Sequence, residues 1–223
     1  MEQRDKERVA GDILDAVISC KRDAAGGDIS ITQVAARAGM SDRTLNRYFP
    51  DKERMVYLAA VRYLISHVKA ISDRYVALDK TGLNGRQRLV QYIRTHVDHY
   101  RADMAEALLF VSAHACCIST AVGEKLRSSE YDTLSRQILF DCVERGVQDG
   151  SIRSDAVPLD VYLLVSSNFT GLVHRLVFLY SVDQTEPDQR KAILSIFDKY
   201  LLLDDYLRPE RAEELREEGT NEE

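Results

Sequence analysis

Apolar residues recur along most of this chain at three- and four-residue steps, the spacing of a helix with one buried face. Val9, Ile13, Ala16, Val17 and Cys20 make the first such face, and Gly26-Gly27 stops it. The same spacing runs through residues 52–78, 85–101, 103–120, 123–149, 158–182 and 187–206. The breaks hold Asp79–Asn84, Gly123, Asp149-Gly150-Ser151 and Thr185-Glu186-Pro187. Pro158 and Pro187 suit the first turn of a helix. No alternating strand run, hairpin signal or internal repeat intervenes. The pattern predicts an all-α chain of about nine helices, three in an N-terminal head and six in a body.

Between Gly27 and Pro50 the pattern shortens and becomes punctuated. Ser30 followed by Gln33 reads as a capping box, and Ile29 and Val34 occupy the positions of a hydrophobic staple across it. Gly39 supplies a left-handed end. Ser41 caps a second short helix, with Met40 and Leu45 as its staple, Leu45 and Phe49 on its buried side and Pro50 as its stop. Two short helices around a Gly-Met-Ser turn make a helix-turn-helix. Its outer side carries Asp42, Arg43, Thr44, Asn46 and Arg47, with Tyr48 at the edge. Arg, Asn and Thr are residue types that read base edges or hold phosphates. Taken alone, the same pattern fits an ordinary helical hairpin with a solvated face equally well.

Composition narrows the picture. With 45% hydrophobic and 30% charged residues in 223, the chain is expected to fold around a real core. The first twenty residues are charged and amphipathic, so no secretory leader is expected. The most lipophilic stretch, Leu159–Val182, contains Asn168, His174 and Arg175 and reads as a buried helix rather than a membrane span. Cys20, Cys116, Cys117 and Cys142 lack metal spacing and read as reduced thiols of a cytoplasmic protein. A net charge of −6 argues at first against nucleic acid. Residues 1–55, however, carry 10 basic and 10 acidic side chains, and residues 207–223 carry 3 and 7. Much of the deficit thus sits in a tail expected to be solvated. A neutral head binds DNA if its basic residues face one way.

The run Ser30–Ser41, then Thr44-Leu45, then Tyr48-Phe49-Pro50-Asp51-Lys52-Glu53 resembles the TetR-type (tetracycline-repressor-like) regulators in order and spacing, as does Ile13-Leu14-Asp15-Ala16 upstream. A weaker likeness lies around residues 143–160, at the turn between the seventh and eighth helices of that family. The resemblance implies a sequence-specific DNA-binding regulator, a repressor released from a palindromic double-stranded operator by a small ligand. It also implies a homodimer through residues 158–206. By the same resemblance Tyr48 and Lys52 lie against phosphates, Lys52 near N–H groups that help hold an anion. Arg43 and Asn46 depart from the family, which usually has a small residue and an aromatic there. They become candidates for base contacts of this chain's own. The DNA-facing set is therefore Ser30, Thr32, Gln33, Ser41, Arg43, Thr44, Asn46, Arg47, Tyr48 and Lys52. The expected domains are 5–54 for DNA, 55–206 for regulation and 207–223 as an acidic tail.

In the body, helix 85–101 presents Leu89, Tyr92, Ile93, His96, Val97 and Tyr100 on one face, and helix 103–120 is apolar nearly all round. Tyr92, His96, Tyr100, Phe110, His114, Asn168 and His174 are the candidates to line a pocket for a small, largely apolar ligand. For each, a core or surface role is the plainer reading. A helical enzyme finds no support in a phosphate loop, nucleophile elbow or metal pair, so neither catalysis, cofactor nor metal is expected. Control by a partner, or by oxidation of Cys116 and Cys117, and a helical interaction module are the remaining alternatives.

Overall fold

The computed structural model describes residues 2–119, 130–181 and 207–209. Among them every regular element is a helix: α1 (Glu2–Asp23), α2 (Ile31–Arg37), α3 (Asp42–Tyr48), α4 (Lys52–Ala77), α5 (Gly85–Ala102), α6 (Met104–Ser119), α7 (Glu130–Gln148) and α8 (Pro158–Ser181). These eight match the expected order. The expected helix 187–206 lies outside the described residues, as does the start of 123–149.

The chain forms two compact units. The first takes Met1–Lys69 and Asp103–Asp132, and the second Ala70–Ala102 and Thr133–Glu223. The seams fall inside α4, between α5 and α6, and inside α7, whereas the sequence pattern places a boundary after residue 54.

In the first unit, Ile13, Val17, Val34, Leu45 and Met55 are fully buried in one cluster. They are the periodic residues of α1, α2, α3 and the start of α4, so each amphipathic face has met another. The end of α1 is wound tight, with Ala25 at φ 49° and Gly26 at φ 81°, and Gly26 N–H donates to Lys21 O at 2.7 Å. This turn is held against α6, where Ser112 Oγ donates to Gly26 O at 2.9 Å.

In the second unit α5 and α7 approach so closely that a Cβ on Gly85 would stand 2.0 Å from Gly146 N. The loop after α7 caps the start of α5: Gly85 N–H donates to Asp149 Oδ2 at 2.8 Å and Arg86 N–H to Ser151 Oγ at 3.1 Å. The Asp149-Gly150-Ser151 break seen in the sequence is therefore also a fastener. The tail's first residue is not solvated as expected. Leu207 is only 2% exposed, and its carbonyl accepts from Arg153 N–H at 3.1 Å.

Candidate nucleic-acid interface

Local chemistry sets the geometry of α2 and α3. Ser30 Oγ accepts from Gln33 N–H at 3.1 Å and Gln33 Oε1 accepts from Ser30 N–H at 2.7 Å, the two halves of the capping box. Gly39 takes φ 67°, and Met40 N–H reaches back to Ala35 O at 3.0 Å, which closes α2. Ser41 Oγ accepts from Thr44 N–H at 3.2 Å and lies 3.0 Å from Thr44 Oγ1. Thr32 Oγ1 donates to Asp42 Oδ2 at 2.7 Å and ties the two helices together. Of the DNA-facing candidates, Ser30, Thr32, Gln33 and Ser41 thus each have a structural task already.

The cations of the first unit fall into two groups. Arg37 pairs with Asp23, Arg22 with Glu106, and Arg62 grips Asp15 with two bonds of 2.6 and 2.9 Å. These hold α2, α6 and α4 to α1. Arg43, Asn46 and Arg47 stand exposed on the outer side of α3. Arg43, Arg47 and Lys52 make no ion pair among the described residues, and the Arg47 guanidinium lies 5.7 Å from the centre of the Tyr48 ring. One expectation changes here. At the start of α4, Asp51 Oδ1 accepts from the N–H groups of Glu53 and Arg54 at 2.8 and 3.3 Å. A side-chain carboxylate, not a phosphate, satisfies those donors.

The ligand candidates divide between the units. In the second unit Tyr92 stands edge-on to His96 at 4.6 Å, and His96 edge-on to Phe169 at 5.6 Å. Tyr100 lies 5.5 Å from Phe169, and Tyr75 stands 5.1 Å from Tyr92. Tyr92 OH lies 2.8 Å from Ser135 Oγ, and burial pushes its phenol up to about 12. Tyr75 and Phe169 escaped the sequence reading, since each is one apolar residue among many on its helix. Asn168 does not join this cluster. It is exposed on α8, with Nδ2 donating to Leu164 O at 2.8 Å, while Phe169 beside it turns inward. His174 is half-buried on the same helix. Phe110 and His114 belong to the first unit, stacked at 5.6 Å with 10° between their planes.

Phe110 also lies 5.7 Å from His67, next to a junction absent from the sequence reading. Glu106 on α6 stands 3.8 Å from His67 Nδ1, accepts from Tyr63 OH at 2.9 Å and pairs with Arg22. His67, Tyr63 and Arg22 hold its carboxyl at about 2, against the opposing effect of burial. Cys117 is buried and Cys116 half-buried; burial pushes both thiols up, Cys117 to about 11. Neither has the thiolate character of a redox sensor at neutral pH.

No family model matches the chain. It is 25% identical over 190 residues to the HTH-type transcriptional regulator BetI of Pectobacterium carotovorum, covering 85% of this chain and 90% of that one. BetI of Pectobacterium atrosepticum is 34% identical over 79 residues, 35% of this chain and 40% of that protein. Among solved structures, the regulator FadR of Bacillus subtilis in complex with stearoyl-CoA aligns with a TM-score of 0.56 at 15% identity, over 83% of this chain and 96% of that one. A TetR family regulator of Marinobacter aquaeolei aligns at 0.52 and 19% identity, over 89% and 97%. At such identities the structures speak for the fold, and the BetI likeness adds the regulator's sequence. The chain is thus similar over most of its length to an HTH-type transcriptional regulator, and it shares the fold of TetR family regulators.

Proposed function

We propose that this regulator binds a palindromic double-stranded operator through α3, as a homodimer, and leaves it when a small, largely apolar ligand binds. The carrying observation is the division of cations in the first unit. Arg22, Arg37 and Arg62 are consumed in ion pairs, whereas Arg43, Asn46 and Arg47 face outward on a helix fixed at its start by Ser41. Such a helix offers side chains to base edges at low ordering cost. Arg43 and Asn46 are assigned base contacts, and Tyr48 and Lys52 backbone contacts. The test is selection of genomic fragments by the full chain, followed by Arg43→Ala and Asn46→Ala on the enriched sequence. Each is expected to cost about 1–3 kcal/mol and to relax one base position. Unchanged affinity and preference in both variants would remove the assignment.

The homodimer reading draws on α8. Leu159, Leu163 and Phe178 are 47, 51 and 56% exposed on it, while Val161, Val165, Phe169 and Val173 are buried. By length and composition α8 also passes for a membrane span. An apolar face opposite a buried one fits pairing with its copy better, and a DNA-binding role places the protein in the cytoplasm. Sedimentation at micromolar concentration is expected to give twice the 25.3 kDa chain mass. We assign the apolar ligand to the second unit, beside the aromatic residues Tyr75, Tyr92, His96, Tyr100 and Phe169, with Tyr92 and His96 as its polar markers. We read residues 5–54 as the DNA-binding part, 55–206 as regulatory, and the chain as no enzyme.

A further inference from the structure

We propose that the junction of α1, α4 and α6, in the first unit, is a small-molecule site of its own, shaped for a neutral apolar compound of benzene to indole size. The helices line a half-open cavity of about 130 Å³ there. Val17 and Ile18 line it from α1, Ala59 and Ala60 from α4, and Leu109 and Ala113 from α6. The space has a plain sequence cause. Where three helices meet, close packing calls for branched side chains, and this junction has Ala59, Ala60, Ala113, Ser112 and Cys116 instead. Ile18, Lys21 and Cys116 are only half-buried, which puts the mouth on their side.

The ligand class follows from where the wall's polar atoms point. Lys21 Nζ donates to the carbonyls of Gly26 and Gly27 at 3.3 and 2.9 Å. Ser112 Oγ donates to Gly26 O, and Tyr63 OH to Glu106 Oε2. The Cys116 thiol keeps its proton at neutral pH, so the wall adds no anion. Lys21 is the one charged group of the lining, and its ammonium is turned onto the carbonyls of Gly26 and Gly27. A charged guest would therefore shed its water and compete with those carbonyls, while an apolar guest gives up no polar hydration on entry. Engineered apolar cavities of about 150 Å³ take benzene or xenon on this basis.

The experiment is calorimetric titration of the full chain with benzene, indole and benzoate, with the same titrations on Ala113→Leu and Cys116→Leu. Benzene is expected to bind once per chain, and each leucine to weaken it by about tenfold or more. Benzoate is expected to bind more weakly than benzene. Should a leucine variant fail to fold, Cys116→Ala enlarges the cavity and is expected to hold indole at least as tightly as the parent. Saturable binding that ignores both leucines, absence of saturable binding by benzene and indole, weaker indole binding by Cys116→Ala, or preference for benzoate each overturns the proposal. Affinity for operator DNA is a separate readout, so failure here leaves the DNA-binding reading standing.

Discussion

Each of the two units is held together internally by a different balance of forces. In the first, carboxylates, hydroxyls and guanidinium groups do the joining: Arg37 to Asp23, Arg62 to Asp15, Arg22 to Glu106, and Ser112 to the carbonyl of Gly26. In the second, rings stand edge-on around Tyr92 and His96 and two glycines let α5 and α7 nearly touch, with Asp149 and Ser151 adding a polar cap at the start of α5. Polar fasteners tolerate small steric changes but answer to pH and salt. Packed rings and glycines ignore both and fail when volume is added. If α3 binds DNA as proposed, the unit carrying that ionic process is held by the same kind of force.

The sharpest break between the units is steric. Gly85→Ala places a methyl carbon 2.0 Å from Gly146 N and 2.6 Å from Cys142 O, both backbone atoms that cannot swing aside. The helices must separate, at a cost of about 3 kcal/mol. Thermal melting is expected to fall accordingly, with no recovery on changing salt or pH. A melting temperature equal to the parent's would mean that α5 and α7 are not held this closely.

The next effect belongs to the first unit and is ionic. Glu106 is held at about 2, below an ordinary value of 4.5. Its folded-state value is depressed, so its contribution is full above 4.5 and disappears as pH falls through about 2. Glu106→Gln is expected to cost about 2 kcal/mol at pH 7, somewhat less than the whole shift because the carboxylate keeps some contact with water. The gap between variant and parent should narrow below pH 4.5 and close near 2. Denaturant melts of both proteins across that range check it, and a gap independent of pH would assign Glu106 a packing role alone.

These two tests also mark how far the sequence could be read. Ser30 with Gln33, Ser41 with Thr44, and the buried run of Leu89, Tyr92, Ile93, Val97 and Tyr100 all lay within one or two helical turns, where periodicity and capping rules apply. Arg22 and Glu106 stand 84 residues apart, and Ser112 and Gly26 stand 86 apart. No local rule couples such pairs; folding does. The same holds for Gly85 opposite Gly146, which stand on two different helices. A helix with large apolar residues on both sides gives little sign of which side faces in, and Asn168 falls on the exposed side of α8. The Asp51 cap of α4 is local and lies within reach of the capping rules.

A smaller effect tests whether the head is as locally determined as its caps imply. Ser30→Ala removes one half of the capping box and leaves Gln33 Oε1 on Ser30 N–H. About 1 kcal/mol of stability is expected to go, and the loss should be the same at pH 7 and pH 4, since no titrating group is involved. A loss several times larger would show that α2 depends on this cap for more than its own first turn.

The smallest change in stability carries the clearest signature in binding. Lys52 is exposed at the first residue of α4, beside an Asp51 that already caps the helix. Its amino group therefore does no work in the free protein, and Lys52→Ala should leave thermal melting unaltered. If Lys52 lies against a phosphate, neutralising that contact releases counterions, and each such contact adds roughly 0.9 to the salt slope of binding. The variant is then expected to lose affinity for the operator and for random duplex in the same proportion, with the slope lower by about one. Titrations at several salt concentrations on both duplexes measure this directly. A loss confined to the operator would make Lys52 a base-reading residue. An unchanged slope would leave anchoring to the outward cations of α3, Arg43 and Arg47, whose own substitutions would then have to account for it.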